Sequence, residues 1–258
     1  MSRVIESEKL SFEIDGKELI SNISLYVENK EFVGLIGPNG SGKSTLLKNI
    51  YKQHRPSLGN IWIQSQPIES IKNKELAKIL SVVTQENRVE FDFAVDEMMS
   101  LSRLPYRSMW QSESAEDRKI CEKSLKKVGM DHMAQRSFLS LSGGEKQRVL
   151  LAMAFAQETD IIILDEPTNH IDIGYQLMIM EMLKKEKDMT IFTSFHNINL
   201  ALKFCDRILV LNRGKLIRDG KPETIITEEL LKDVFQIEGE IINNNGSLLV
   251  DYKRSYIH

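Results

Sequence analysis

Cysteine is nearly missing from this chain: Cys121 and Cys205 are the only two in 258 residues, far apart and without metal-ligand spacing. A disulfide scaffold and a cysteine metal knuckle are therefore excluded, and two buried or free thiols in a reducing compartment are expected. Long apolar runs are absent too. Although 41% of the residues are hydrophobic, no stretch approaches the ~18 uninterrupted apolar residues of a spanning helix, so the chain is not expected to form a channel itself. Neither charge sign dominates. With a formal net charge of -3, no global field selects nucleic acid or anionic lipid as the main partner. The first ten residues carry charges where a secretory leader needs an apolar stretch, which points to the cytoplasm. Repeats, low-complexity tracts and long Pro/Gly/Ser linkers are also lacking, which favours insertion within one domain over a tandem pair.

What is present reads as alternating structure. Leu10-Ser11-Phe12-Glu13-Ile14 and Ile23-Ser24-Leu25-Tyr26-Val27 alternate as half-buried antiparallel strands do. The apolar run 32–36 leads into a glycine-rich turn and a helical pattern beginning near Lys43. Further strands are expected at 61–63, 79–84, 161–164 and 190–193, the last two apolar-rich, as in parallel strands covered on both faces. From about 87 to 140 the chain becomes charged, methionine-rich and helical, broken at Pro105, with a helix expected over 113–128. Turns at 212–214 and 219–220 punctuate an antiparallel finish.

Gly37-Pro38-Asn39-Gly40-Ser41-Gly42-Lys43-Ser44-Thr45 satisfies the phosphate-loop pattern between a strand and a helix. Glycines let successive backbone amides converge on a β-phosphate at a helix N-terminus, where unpaired amides and the helix dipole both favour an anion. Lys43 supplies a point charge for the β- and γ-phosphates, and the Ser44 hydroxyl is a ligand for Mg²⁺. Downstream, the strand 161–164 delivers Asp165 and Glu166 to its carboxyl end, the edge where ligands of parallel sheets bind. Asp165 can hold the Mg²⁺ of bound ATP through a water. Glu166 is placed to accept a proton from the attacking water and orient it.

Leu141-Ser142-Gly143-Gly144-Glu145-Lys146-Gln147-Arg148 narrows the field. Read physically, it is a serine opening a helix, with Glu145 completing a capping box. A cap alone does not explain two glycines, and the segment resembles the signature motif of ABC ATPases. The resemblance covers nearly the whole chain and is strongest to the ATPases of iron-siderophore, haem and vitamin B12 importers. It implies that Ser142, Gly143 and Gly144 serve the γ-phosphate of ATP bound on another copy. It implies also that Gln85 touches Mg²⁺ or the attacking water, that His196 contacts the γ-phosphate and steadies Glu166, and that Asp172, within Asn169-His170-Ile171-Asp172, lies at a dimer interface. Three departures from the pattern stand out: Ile14 where an aromatic commonly stacks on adenine, Glu145 where glutamine is commoner, and Asn197 where aspartate is commoner.

The implied fold is α/β, a P-loop NTPase core with a RecA-like mixed sheet, an N-terminal antiparallel β subdomain and an inserted α-helical subdomain. The expected division is one domain, with 1–86 and 141–258 forming the core and 87–140 the insertion. The implied function is an ATP-hydrolysing homodimer on the cytoplasmic face of the cell membrane. It would drive integral membrane permease subunits and, indirectly, a substrate-binding lipoprotein, with no nucleic acid involved. An exporter motor and a non-transport ABC ATPase are the rival readings. Met98, Met99 and Tyr106 are taken as exposed candidates for contact with the permease, with burial in a subdomain core as the alternative.

Overall fold

The computed structural model describes residues 2–84, 91–108, 111–169, 171–244 and 247–256. Two compact units divide the chain: Met1–Ser70 with Glu186–His258, and Ile71–Lys185.

In the first unit, β1 (Arg3–Ile14) and β2 (Lys17–Glu28) form a long antiparallel hairpin, extended by β4 (Leu58–Ile63) and the short β5 (Gln66–Pro67) in the order β2-β1-β4-β5. Alternation buries Ile20, Ile23, Leu25 and Val27, and register shifts along β1 bend the pair. The second sheet of this unit centres on β3 (Phe32–Ile36), which runs parallel to β8 (Thr190–Ser194) on one side and β9 (Arg207–Asn212) on the other. Every residue of β3 is buried, the expected result for an apolar run paired along both edges. β10 (Lys215–Gly220) adds antiparallel to β9.

Helices α1 (Lys43–Ile50), α7 (Ile198–Phe204), α8 (Pro222–Ile225) and α9 (Glu228–Phe235) complete this unit, with a terminal hairpin of β11 (Ile237–Asn244) and β12 (Ser247–Ser255). The hairpin packs on α7 and α9. One side chain pins it: Asn199 Nδ2 donates to Val250 O at 3.0 Å while Asn199 Oδ1 accepts from Val250 N–H at 2.7 Å. Sequence reasoning did not foresee this hairpin.

The second unit holds α2 (Asn73–Ile79), β6 (Leu80–Val83), α3 (Val95–Leu101), α4 (Ala115–Lys127), α5 (Gly143–Ala156), β7 (Ile161–Leu164) and α6 (Ile173–Lys185). β6 and β7 pair in parallel from Leu80 with Ile161 to Val83 with Leu164. Ile79, expected in the strand, instead closes α2.

Met98 and Met99 are core residues rather than exposed contacts. They are 5% and 0% accessible, because Val95, Met98 and Met99 make the buried stripe of α3 at helical spacing. Tyr106 is 38% accessible, but its hydroxyl donates to Gln157 O at 2.7 Å and Arg103 lies over its ring. Arg103 also anchors a buried polar centre. Its Nε meets Asp117 Oδ1 at 2.9 Å and its Nη1 donates to Ala156 O at 2.7 Å, while Arg107 Nε reaches Asp117 Oδ2 at 3.3 Å. Burial pushes the Asp117 carboxyl up, but hydrogen bonds from Arg103 and Ser114 outweigh it and hold the group at about 2.

Candidate functional site

The phosphate loop leaves β3 at its carboxyl end, the edge at which parallel sheets present ligands. Gly37 is required by close approach: a Cβ there would lie 2.2 Å from Leu211 O and 2.7 Å from Ser41 Oγ. Gly40 sits at φ +74° with open space around it, so the loop tip, Asn39 and Gly40, is exposed. Lys43 is buried, and its Nζ donates to Gly37 O at 2.9 Å and Pro38 O at 3.4 Å, which sets the ammonium under the loop. Ser41 is buried with an unpartnered Oγ, and Ser44 and Thr45 are half-buried in the first turn of α1. That first turn carries no acidic residue. A helix N-terminus without its usual carboxylate, fronted by glycines and a buried lysine, fits an anion such as a nucleotide phosphate.

His196 reaches the same edge by parallel pairing. Ser194 stands beside Leu35, Phe195 N–H donates to Leu35 O at 2.9 Å, and His196 follows, exposed. Asn197, the departure from the commoner aspartate, caps α7 by accepting from Asn199 N–H at 2.9 Å and Leu200 N–H at 3.4 Å. Asparagine and aspartate cap helices about equally well.

In the second unit the acidic pair is held by its own strands. Asp165 N–H donates to Val83 O at 2.9 Å, which carries the β6–β7 pairing one residue past β7, and Asp165 is 2% accessible. Glu166 adopts φ +49°, a left-handed conformation that costs a non-glycine residue on the order of 1 kcal/mol and re-aims its side chain. Its carboxylate accepts from the Asn169 side-chain amide. Asn169, which the sequence presented only as part of a loop, therefore restrains that carboxylate. Gln176 Nε2 fixes that loop by donating to Thr168 O at 2.9 Å and Ile171 O at 3.1 Å, and Asp172 is exposed. Gln85 and His170 lie outside the described residues.

Ser142 caps α5 as its spacing predicts, with Ser142 and Gly143 exposed. Packing within this chain does not require glycine at 144: a Cβ there would meet Tyr175 at 3.7 Å, an ordinary van der Waals contact. No group of three or more His, Cys, Asp or Glu stands ready to bind a metal among the described residues. Mg²⁺ takes one or two protein oxygens together with waters and substrate phosphates, and the Ser44 hydroxyl of the first unit and the Asp165 carboxylate of the second are each oxygen donors of that kind.

Comparison with known proteins agrees with this geometry. The family model described as ABC transporter matches residues 20–169. The petrobactin import ATP-binding protein FpuC of Bacillus anthracis is 36% identical over 97% of this chain and 93% of its own length. The iron(3+)-hydroxamate import ATP-binding protein FhuC of Bacillus subtilis is 33% identical over 93% and 90%, respectively. Among solved structures, the dimeric bacterial ABC transporter cassette MJ0796 superposes with a TM-score of 0.75 at 30% identity, covering 84% of this chain and 98% of that one.

Proposed function

We propose, on the premise that this chain belongs to the ABC transporter family, that it is the motor subunit of an importer for a metal chelate, most closely an iron-siderophore, haem or cobalamin. Membership makes it an ATP-binding protein and an ATPase. The observation that carries the motor reading is the phosphate loop, with Lys43 buried under it and His196 on the neighbouring parallel strand end. Phosphoryl transfer needs positioning and charge neutralisation more than covalent chemistry, and these residues supply both.

The roles divide accordingly. Amides of 37–45 and the Lys43 ammonium bind the β- and γ-phosphates, the Ser44 hydroxyl and Asp165 carboxylate would each be ligands for Mg²⁺, and the Glu166 carboxylate, fixed by Asn169, takes the proton of the attacking water. Mg²⁺, when bound, neutralises charge on the transferring phosphoryl group. The exposed Ser142 and Gly143, with Gly144, face a second copy, so that two chains enclose two ATP molecules in a C₂ dimer.

No helix among the described residues is long and apolar enough to cross a membrane, so the translocation path belongs to permease subunits docked on the cytoplasmic face. Permease docking would use the cleft of about 540 Å³ in the second unit, through its exposed lining residues Leu101, Arg118, Glu122 and Gln135 rather than the buried methionines. A substrate-binding lipoprotein delivers the cargo to the permease. Radiolabelled ferric-siderophore uptake in cells carrying Glu166→Gln tests the reading: uptake should fall to background while the complex still assembles. Undiminished uptake with ATPase lost would overturn it.

A further inference from the structure

The residue that departs from the commoner glutamine, Glu145, is bonded to the very serine that the dimer needs. One carboxylate oxygen, Glu145 Oε2, accepts from Ser142 N–H at 2.8 Å and from the Ser142 hydroxyl at 2.8 Å. The return bond of the capping box, Glu145 N–H to Ser142 Oγ, is longer at 3.4 Å. We propose that Glu145 is an electrostatic brake on ATP-driven closure: its carboxylate holds the Ser142 hydroxyl on its own chain and sets a negative charge where the partner's γ-phosphate must arrive. This rests on the reading of Ser142 as a γ-phosphate ligand across the dimer.

Three observations carry it. A hydroxyl has one proton, so Ser142 cannot donate to Glu145 and to a phosphate oxygen at once. The carboxylate lies within one hydrogen bond of the contact point, where two like charges about 5 Å apart repel appreciably even in a partly aqueous interface. And no direct ion pair offsets it among the described residues: Lys146 lies over the Phe138 ring, and Arg148 donates to Val128 O and lies over the Tyr175 ring, so these cations act on the carboxylate only at a distance. The charge also persists. Hydrogen bonds from the Ser142 backbone and side chain, with Arg148 and Arg136 in the vicinity, lower the Glu145 carboxyl from its ordinary range, so it is ionised at neutral pH.

Glutamine at this position keeps the capping box, because its side-chain carbonyl accepts from Ser142 N–H as the carboxylate does, and removes only the charge. A purely structural Glu145 therefore predicts no change in Glu145→Gln, whereas the brake predicts tighter closure. The test is ATPase activity of the purified full chain as a function of protein concentration, which reads association, at several salt concentrations. Glu145→Gln should lower the protein concentration for half-maximal specific activity by roughly tenfold, leave the plateau rate unchanged, and lose part of that advantage as salt screens the repulsion. Glu145→Ala, which loses cap and charge together, should shift in the same direction. A Glu145→Gln curve that superposes on wild type while Ser142→Arg is inactive overturns the brake and leaves the shared site standing. Wild-type activity in Ser142→Arg overturns both.

Discussion

The Lys43 ammonium lies 2.9 Å from the carbonyl oxygen of Gly37, six residues earlier on the same loop. Carbonyl contacts orient the lysine beneath the loop, and in the proposed site a bound phosphate would add charge-assisted bonds to it. Lys43→Ala should weaken ATP binding by about 10- to 100-fold, as expected for loss of a hydrogen bond involving a charged group. Equilibrium titration of the purified variant with ATP checks this, and retained affinity would remove the lysine from the site.

The departure at Ile14, also in the first unit, bears on how adenine would be held. Ile14 is 51% accessible and offers no aromatic face, and Phe12 is already stacked on His54 with centroids 4.7 Å apart. Ile14→Tyr should tighten ATP binding about fivefold to tenfold through base stacking. Unchanged affinity would mean that the base is held elsewhere.

Acid should loosen the second unit first through Asp117. Its folded value of about 2 lies below the ordinary 3.8, so the carboxylate contributes stability above the ordinary value and loses it as pH falls through the folded one. About 2 kcal/mol should disappear between pH ~4 and ~2. Urea unfolding of wild type and Asp117→Asn over that range measures it: the wild-type midpoint should fall more steeply than the variant's, and parallel slopes would contradict the assignment.

Met98→Asp should lower stability by about 3 kcal/mol, because it places an unpaired charge in the core of α3. Chemical denaturation checks this. A variant of unaltered stability that nevertheless uncouples transport would return Met98 to the docking surface.

The residues of the candidate site were legible as motifs where spacing is local and chemical. The phosphate loop, Asp165-Glu166 and the Ser142 cap each sit within a few residues of a strand end or helix start, so a linear pattern carries them. Features that depend on packing partners were not. Two adjacent methionines on a seven-residue helix carry no sign of which way the core lies, and α3 buries both. Nothing in the sequence marked Arg103 and Asp117 as partners, because charged residues are usually solvated, yet both are buried and paired. The terminal hairpin was hidden by the interruption of its alternation at Gly239 and by polar asparagines. The Asn-Gly dipeptide between the paired Asn244 and Ser247 is the signal that could have found it.

A site completed by a second copy requires Ser142 to lie close to the partner's phosphate loop, and proximity across the dimer tests that requirement. One chain carries Asn39→Cys at the exposed loop tip and a differently tagged chain carries Ser142→Cys, both with Glu166→Gln so that bound ATP persists. The native thiols interfere little, since Cys121 and Cys205 are buried and burial pushes the Cys121 thiol up to about 11. With ATP and a short bismaleimide, the mixture should give a crosslinked species bearing both tags, which neither chain gives alone and which disappears without nucleotide. Absence of that species, when both cysteines react with a monofunctional maleimide, would contradict the shared site.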